Sequence, residues 1–288
     1  MIEGQATKLS RTMHGIADDP VHDEIAVPVA LAAAVLVFRG AASGAEPPVR
    51  VIQGPHTKLV RPHTVAFDVQ NGEIIVGDRS ARSVVIFSRE AQGDVAPRRA
   101  IQGPKTGLLD IVGVGADPVH NLLVAASVSR IGGTTGIFIF GRTDDGDVAP
   151  RAVISGPKTG LLRPWQVAVD PEQGKIFVAA INNDYLPPYQ LDKVREGLSP
   201  DVEIPSPWGG EKVGFIGVWD IRDNGDVPPR AVIKGPASGL VHPGGVAFNA
   251  REGEVFATDS VRNGLFTFLV PEFFARWIEE MKRSKGAR

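Results

Sequence analysis

The chain has 288 residues, 31 basic and 33 acidic side chains, a formal charge of −2 and no cysteine. That balance excludes a disulfide framework, a thiolate metal site and a cysteine nucleophile, and it lacks the basic stripe of a nucleic-acid binder. Its 33 glycines and 23 prolines point to short strands joined by tight turns, not to a helical bundle.

In chain order, the first conspicuous element is EIAVPVALAAAVLVF, Glu24 to Phe38. A membrane-spanning helix needs about 20 apolar residues, and this run has 15 with Pro28 among them. The acidic DDPVHDE before it is the reverse of the basic region that opens a signal peptide. The repeats that follow explain it otherwise. IQGP at 52–55 and 101–104 returns as ISGP at 154–157 and IKGP at 233–236, after turn phrases such as QGDVAPRR and NGDVPPRA. Gly54, Gly103, Gly156 and Gly235 lie 49, 53 and 79 residues apart. The last interval is one period plus an insertion of about 30 residues.

On this frame HGIADDPVHDEIAV (14–27) matches HTVAFDVQNGEIIV (63–76) without a gap, and VGADPVHNLLV, VAVDPEQGKIFV and VAFNAREGEVFA continue the series. A further strand in each repeat ends in an aromatic column, Phe38, Phe87, Phe140, Trp219 and Phe268. The opening stretch is therefore two strands of a repeat. Four short strands in a period near 50 predict an all-β fold, a β-propeller of four-stranded blades with the aromatic column between blades. Five VAxD-like units give five blades, with six as the alternative. The N-terminal MIEGQATKL reads like VIQGPHTKL at 51–59. It is expected to supply the fourth strand of the last blade and close the ring.

RPHTVAFDVQNGEIIVGDRSARSVVIF and HPGGVAFNAREGEVFATDSVRNGLFTF resemble the NHL-type repeat, over nearly the whole chain except an insertion and the last eighteen residues. The resemblance implies a propeller, usually of six blades. It leaves activity open, since the family spans protein-binding, RNA-binding, lactonase-like and lyase-like members. A start in mid-repeat leaves room for sequence before Met1, where any targeting signal would lie. An exported or periplasmic setting is favoured over a cytoplasmic one.

Propeller ligands sit at the central channel or in the loops of one face. His14, His63, Val112, Trp165 and Gly244 form one column before the VAxD strands, with Thr12, Arg61, Asp110, Arg163 and His242 just upstream. His14, His63, Asp110 and His242 are the candidate acid–base or metal-binding residues. The bland alternative is loop residues that only pack the mouth, because two histidines without a matched carboxylate make a weak metal signature. The lactonase-like branch implies a central divalent metal held by Glu, Asn and Asp. The ends of the second strands here carry Val29, Asp78, Ser127, Ala180 and Asp259, a poor match, so no metal or cofactor is expected. TDDGD at 143–147 reads as a repeated turn, not a calcium loop, and Arg50, Arg99, Arg151 and Arg230 as solvated charges on an outer strand.

Two segments depart from the repeat. The insertion at about 182–212 carries Tyr185, Tyr189 and Trp208 with five prolines, which suits a recognition surface or a lid. The tail, 271–288, places Phe273, Phe274, Trp277, Ile278 and Met281 on one face of a predicted amphipathic helix. Docking on its own propeller, binding a partner and lying on a membrane surface are all open to it. The organisation is thus a propeller over 1–270 and a helix over 271–288. The expected function is a non-enzymatic binding or scaffold module, or an assembly subunit, that contacts a protein partner through Tyr185, Tyr189, Trp208, Phe273, Phe274 and Trp277. The alternative is a hydrolase or lyase acting at the channel mouth.

Overall fold

Runs of Val, Ile and Phe bounded by Asp, Gly and Pro form short antiparallel strands because branched and aromatic side chains suit a pleated, half-buried surface. The computed structural model describes residues 1–10, 13–129, 132–181 and 214–274. Among them are 19 strands and no α-helix. Blade one is β1 (Ala17–Asp19), β2 (Glu24–Val29), β3 (Ala34–Arg39) and β4 (Arg50–Gln53). Blade two is β5 (Pro62–Asp68), β6 (Glu73–Asp78), β7 (Ser83–Ser88) and β8 (Arg99–Gln102). Blade three is β9 (Asp110–Asp117), β10 (Leu122–Val128), β11 (Gly136–Gly141) and β12 (Ala152–Ile154). Blade four is β13 (Arg163–Asp170), β14 (Lys175–Ile181), β15 (Phe215–Asp220) and β16 (Ala231–Ile233). Blade five is β17 (Pro243–Asn249), β18 (Glu254–Asp259) and β19 (Gly264–Leu269). The first strands of all five blades line a central channel. The stretch at 24–38 is β2 and β3, joined by a single 3-10 turn at Ala30–Ala32.

The aspartate that ends most first strands is a turn device. Asp19, Asp68, Asp117 and Asp170 are at most 3% exposed. Each accepts backbone N–H bonds from the turn that follows, for example from His22 and His120 at 3.1 and 2.8 Å. The rings of His22 and His120 also lie 2.7 and 2.8 Å from the Asp19 and Asp117 carboxylates, which commits both histidines to turns.

Apolar layers fill the spaces between consecutive blades, from blades one and two to blades four and five. Phe38, Phe87, Phe140 and Trp219 are at most 1% exposed. Burial of each contributes roughly 2–3 kcal/mol. A polar clasp joins the outer rims. Ile52, Ile101 and Ile154 form parallel bridges to Gly93, Gly146 and Gly225 of the following blade. Beside each bridge an aspartate of that blade, Asp94, Asp147 or Asp226, accepts the N–H of His56, Lys105 or Lys158 at 2.7 Å. The TDDGD turn works the same way: Asp144 accepts from Gly141, Asp145 from Ala100 and Asp147 from Lys105.

Three expectations are corrected. Arg50 and Arg99 are not solvated edge charges. Their side chains are 12% and 15% exposed and bond the buried Glu24 and Glu73, which also receive Arg89 and Arg142 from the next blade. Burying an acid on an inner register position requires such cationic partners. Only Arg151 and Arg230 keep largely open side chains. Second, residues 1–3 do not pair with β19. Ile2 bridges Gly44 of blade one, as the fourth-strand isoleucines bridge their own next blades, while blade five has three strands among the described residues. The phrase MIEGQATKL encodes the clasp, and the clasp forms without the strand pair. Third, the tail begins as a 3-10 turn, Pro271–Phe273, and not as an α-helix, because Phe273 and Phe274 turn into the layer between blades four and five. Residues 275–288 lie outside the described residues.

The clasp predicts unequal costs for two glycines. Gly103 holds φ +135°, and a Cβ there would overlap the Asp147 carboxyl. Gly103→Ala is expected to cost about 3 kcal/mol or more in denaturant unfolding. Gly146 holds φ +76° with open space around it, so Gly146→Ala should cost about 1–2 kcal/mol. Equal losses would show that the Gly–Asp contact does not hold the blades.

Candidate functional site

A β-bulge interrupts the pairing of β5, β9, β13 and β17 near their starts, and the residues it skips are His63, Val112, Trp165 and Gly244. A bulged residue is released from the ladder and its side chain re-aimed, so this column converges at the mouth of the channel. His14, ahead of β1, stacks on His63 with ring centroids 4.4 Å apart and planes at 10°. Trp165 meets both rings edge-on at 6.4 and 5.8 Å, and His242 lies 6.2 Å from Trp165 with its plane tilted by 60°. Gln166 Nε2 donates to the His14 carbonyl at 3.0 Å, linking blade four to blade one.

The imidazoles are neutral at ordinary pH. His63 is 3% exposed, and neither ring nitrogen makes a hydrogen bond of normal geometry. Burial, helped by His14, Arg79 and Arg61, lowers it to about 3, with only the Val112 backbone favouring the charged form. His14 is lowered by partial burial and then by Arg79 and Arg61. His242 is lowered by burial, against its own backbone and Asp259, with Arg163 acting the same way as burial.

The acids near the mouth are already committed. Asp110 pairs with Arg79 at 2.8 Å. Asp78 accepts the N–H groups of Val60, Arg61, Ser80 and Ala81. Burial pushes Asp259 up, but the N–H groups of Arg262, Val241, His242 and Val261 outweigh it and hold its carboxyl below the usual range. Ser127 Oγ accepts the Leu109 N–H at 2.9 Å. Asp78, Ser127 and Asp259 therefore tie their second strands to the loops entering the first, whereas Val29 and Ala180 of the same column carry no group to do so. Among the described residues, no three His, Asp or Glu side chains are placed to hold a metal ion.

Of the residues singled out in the sequence, the structure brings His14, His63 and His242 around Trp165, with Asp110 turned to Arg79. Tyr185, Tyr189, Trp208 and Trp277 lie outside the described residues. Phe273 and Phe274 are 9% and 0% exposed, and the Phe274 ring stacks on Phe177 at 5.5 Å. Three mouth residues were not weighed as functional from the sequence: Trp165, Arg79 and Ser260. Trp165 stood in the bulge column, and Ser260 Oγ lies 2.7 Å from His242 Nδ1.

No protein-family model and no curated protein matches the chain. Among solved structures, Kuenenia stuttgartiensis hydrazine synthase is similar in fold. The TM-score is 0.59 at 13% sequence identity, over 88% of this chain and 64% of that one. At that identity the likeness shows fold alone. Blades, channel and comparison together define the chain as a β-propeller.

The neutral His63 carries a sign-specific expectation. Its folded value of about 3 lies below its ordinary 6.5, so the unfolded chain binds the extra proton. Stability from this group is whole above pH 6.5 and is lost as pH falls toward 3, by up to about 4 kcal/mol. Denaturant unfolding from pH 8 to 4 should show a shallower acid loss in His63→Gln than in wild type. Parallel curves would mean that His63 is not buried neutral.

Proposed function

We propose that this chain is an NHL-repeat-like propeller that works as a non-enzymatic binding or scaffold module for a protein partner. The observation that carries the reading is the state of the mouth. Its carboxylates are spent on backbone amides or on Arg79, and His14 and His63 are uncharged and stacked face to face, with no acid between them. Such a mouth offers aromatic contact area, and Asp78, Asp110 and Asp259 are not placed to pair with His14 or His63 as general acid and base. Contact falls to the insertion aromatics Tyr185, Tyr189 and Trp208, because rigid aromatic side chains dominate binding energy at interfaces. Trp277 remains a candidate beside them, whereas Phe273 and Phe274 are spent on the core.

One observation favours a second reading, hydrolysis at the mouth. His242, held neutral and so able to take a proton, lies against the Ser260 hydroxyl, the first two members of a nucleophile–base relay.

Affinity capture with the full chain and with the Tyr185→Ala/Tyr189→Ala/Trp208→Ala variant, matched for thermal unfolding, separates the readings. Captured proteins should fall at least about tenfold in the variant. An unchanged set of captured proteins, together with ester cleavage that Ser260→Ala abolishes, would replace the binding reading with the hydrolytic one.

A further inference from the structure

In blades one to four the third strand is covered by a fourth: β4 on β3, β8 on β7, β12 on β11 and β16 on β15. The isoleucine of each fourth strand, Ile52, Ile101, Ile154 or Ile233, is at most 8% exposed. Its partners Val35, Val84, Ile137 and Ile216 are at most 2% exposed. In blade five no described residue pairs with the outer edge of β19. Leu265, at the position of Val35, is 69% exposed, and Leu269 is 71% exposed. Leu265 borders a cavity of about 650 Å³ that is also lined by Ile2 and Leu9 of the N-terminal segment and by Ile25 and Phe38 of blade one. Met1 and Glu3 are bonded to Gly44, on the blade-one side, so they leave the β19 edge open.

Charge specifies what fits that edge. Glu24, the first residue of β2, accepts two hydrogen bonds from Arg50 of its fourth strand at 2.6 and 2.7 Å. Glu73, the first residue of β6, accepts one from Arg99 at 2.8 Å. Glu254 opens β18 in the same register, opposite the last residue of β19. It makes no ion pair with a described residue.

We propose that β19 takes an extended strand from a partner polypeptide that carries arginine and, two residues on, isoleucine or valine. The proposal rests on the binding-module reading but uses a different surface from the insertion. The partner's backbone pairs with the free edge, its arginine meets Glu254, and its aliphatic side chain enters the cavity against Phe38 and Ile25. Main-chain pairing of this kind supplies affinity, and alternate side chains supply selectivity.

The probe is a fluorescent peptide with the sequence of this chain's own blade-two strand, residues 97–103 (PRRAIQG), titrated into the full chain and read by anisotropy. Saturable binding is expected. Glu254→Lys should weaken it about tenfold or more, and a peptide with Arg99→Glu should regain binding to that variant. Leu265→Asp, at an exposed position, should abolish binding without altering thermal unfolding. Absence of saturable binding, or binding indifferent to both substitutions, overturns the proposal. So does binding that appears only after removal of residues 275–288, since the tail would then be the occupant. The chain has no cysteine, so a disulfide forming readily in an Ile2→Cys/Leu265→Cys variant would assign the edge to the chain's own N-terminus and overturn it too. Peptide binding that persists in the insertion triple-alanine variant keeps this surface separate from the contact proposed there.

Discussion

A blade of four strands has two apolar faces and no interior, so its stability depends on the neighbours that cover it. Most other features of this molecule answer that constraint. Branched and aromatic residues fill the space between blades, and the Ile–Gly bridges with their aspartate partners set the distance and angle at the rim. The buried acids Glu24 and Glu73 add direction. Each is held by an arginine of its own blade and by one of the next. A buried ion pair contributes little net stability, yet removing one partner strands the other charge. Such a pair penalises misplaced blades more than it rewards correct ones.

The same architecture explains the mouth. One bulge in each of blades two to five releases one side chain from the ladder at a fixed height, and His14, ahead of β1, supplies the fifth, so five separate sequence positions meet in a ring. What stands there is decided blade by blade, because the bulge needs no particular side chain. Here the choice is two stacked imidazoles, an indole, a valine and a glycine. Burial without a hydrogen-bonding partner keeps His63 neutral, and its orphaned nitrogens make this the costliest polar side chain in the ring to bury. The fold does not account for that cost. The mouth is therefore where this propeller differs from a generic one.

The repeat, the strands, the aromatic column and the mouth column were all legible because each recurs near the 50-residue period and is fixed by covalent spacing. The roles of the acids were not. Asp78 and Asp259 look like free carboxylates in a row, and only the folded loop shows that four backbone amides point at each. Arg50 and Arg151 look interchangeable in their phrases, but Ala152, not Arg151, takes the register position of Arg50 against the third strand, and of these two blades only blade one has a glutamate at the head of its second strand. At that position blade three has Leu122 and blade four Lys175. The tail misled for another reason. Adjacent aromatics such as Phe273 and Phe274 satisfy a helical face and a short buried turn equally well. The choice fell to a tertiary fact, the space beside Phe177 and Phe248.

The N-terminal phrase shows why a repeat is not the same as a closed ring. IxGxxT encodes the clasp to the following blade, and Ile2 makes that clasp with Gly44. Pairing with the preceding third strand is a separate interaction, set by backbone edges that the phrase does not specify. β19 is not built as a terminal edge. Strands that end a sheet in water usually carry lysine, proline or a bulge that blocks further pairing, and GLFTFL has none of these. Its outer face, Leu265, Thr267 and Leu269, keeps the apolar alternation of a covered strand while standing exposed. Glu254 keeps the acid that Glu24 and Glu73 use to hold an arginine. A face that retains both the apolar pattern and the charge of a buried one, and is covered by no described residue, has the composition of an interface.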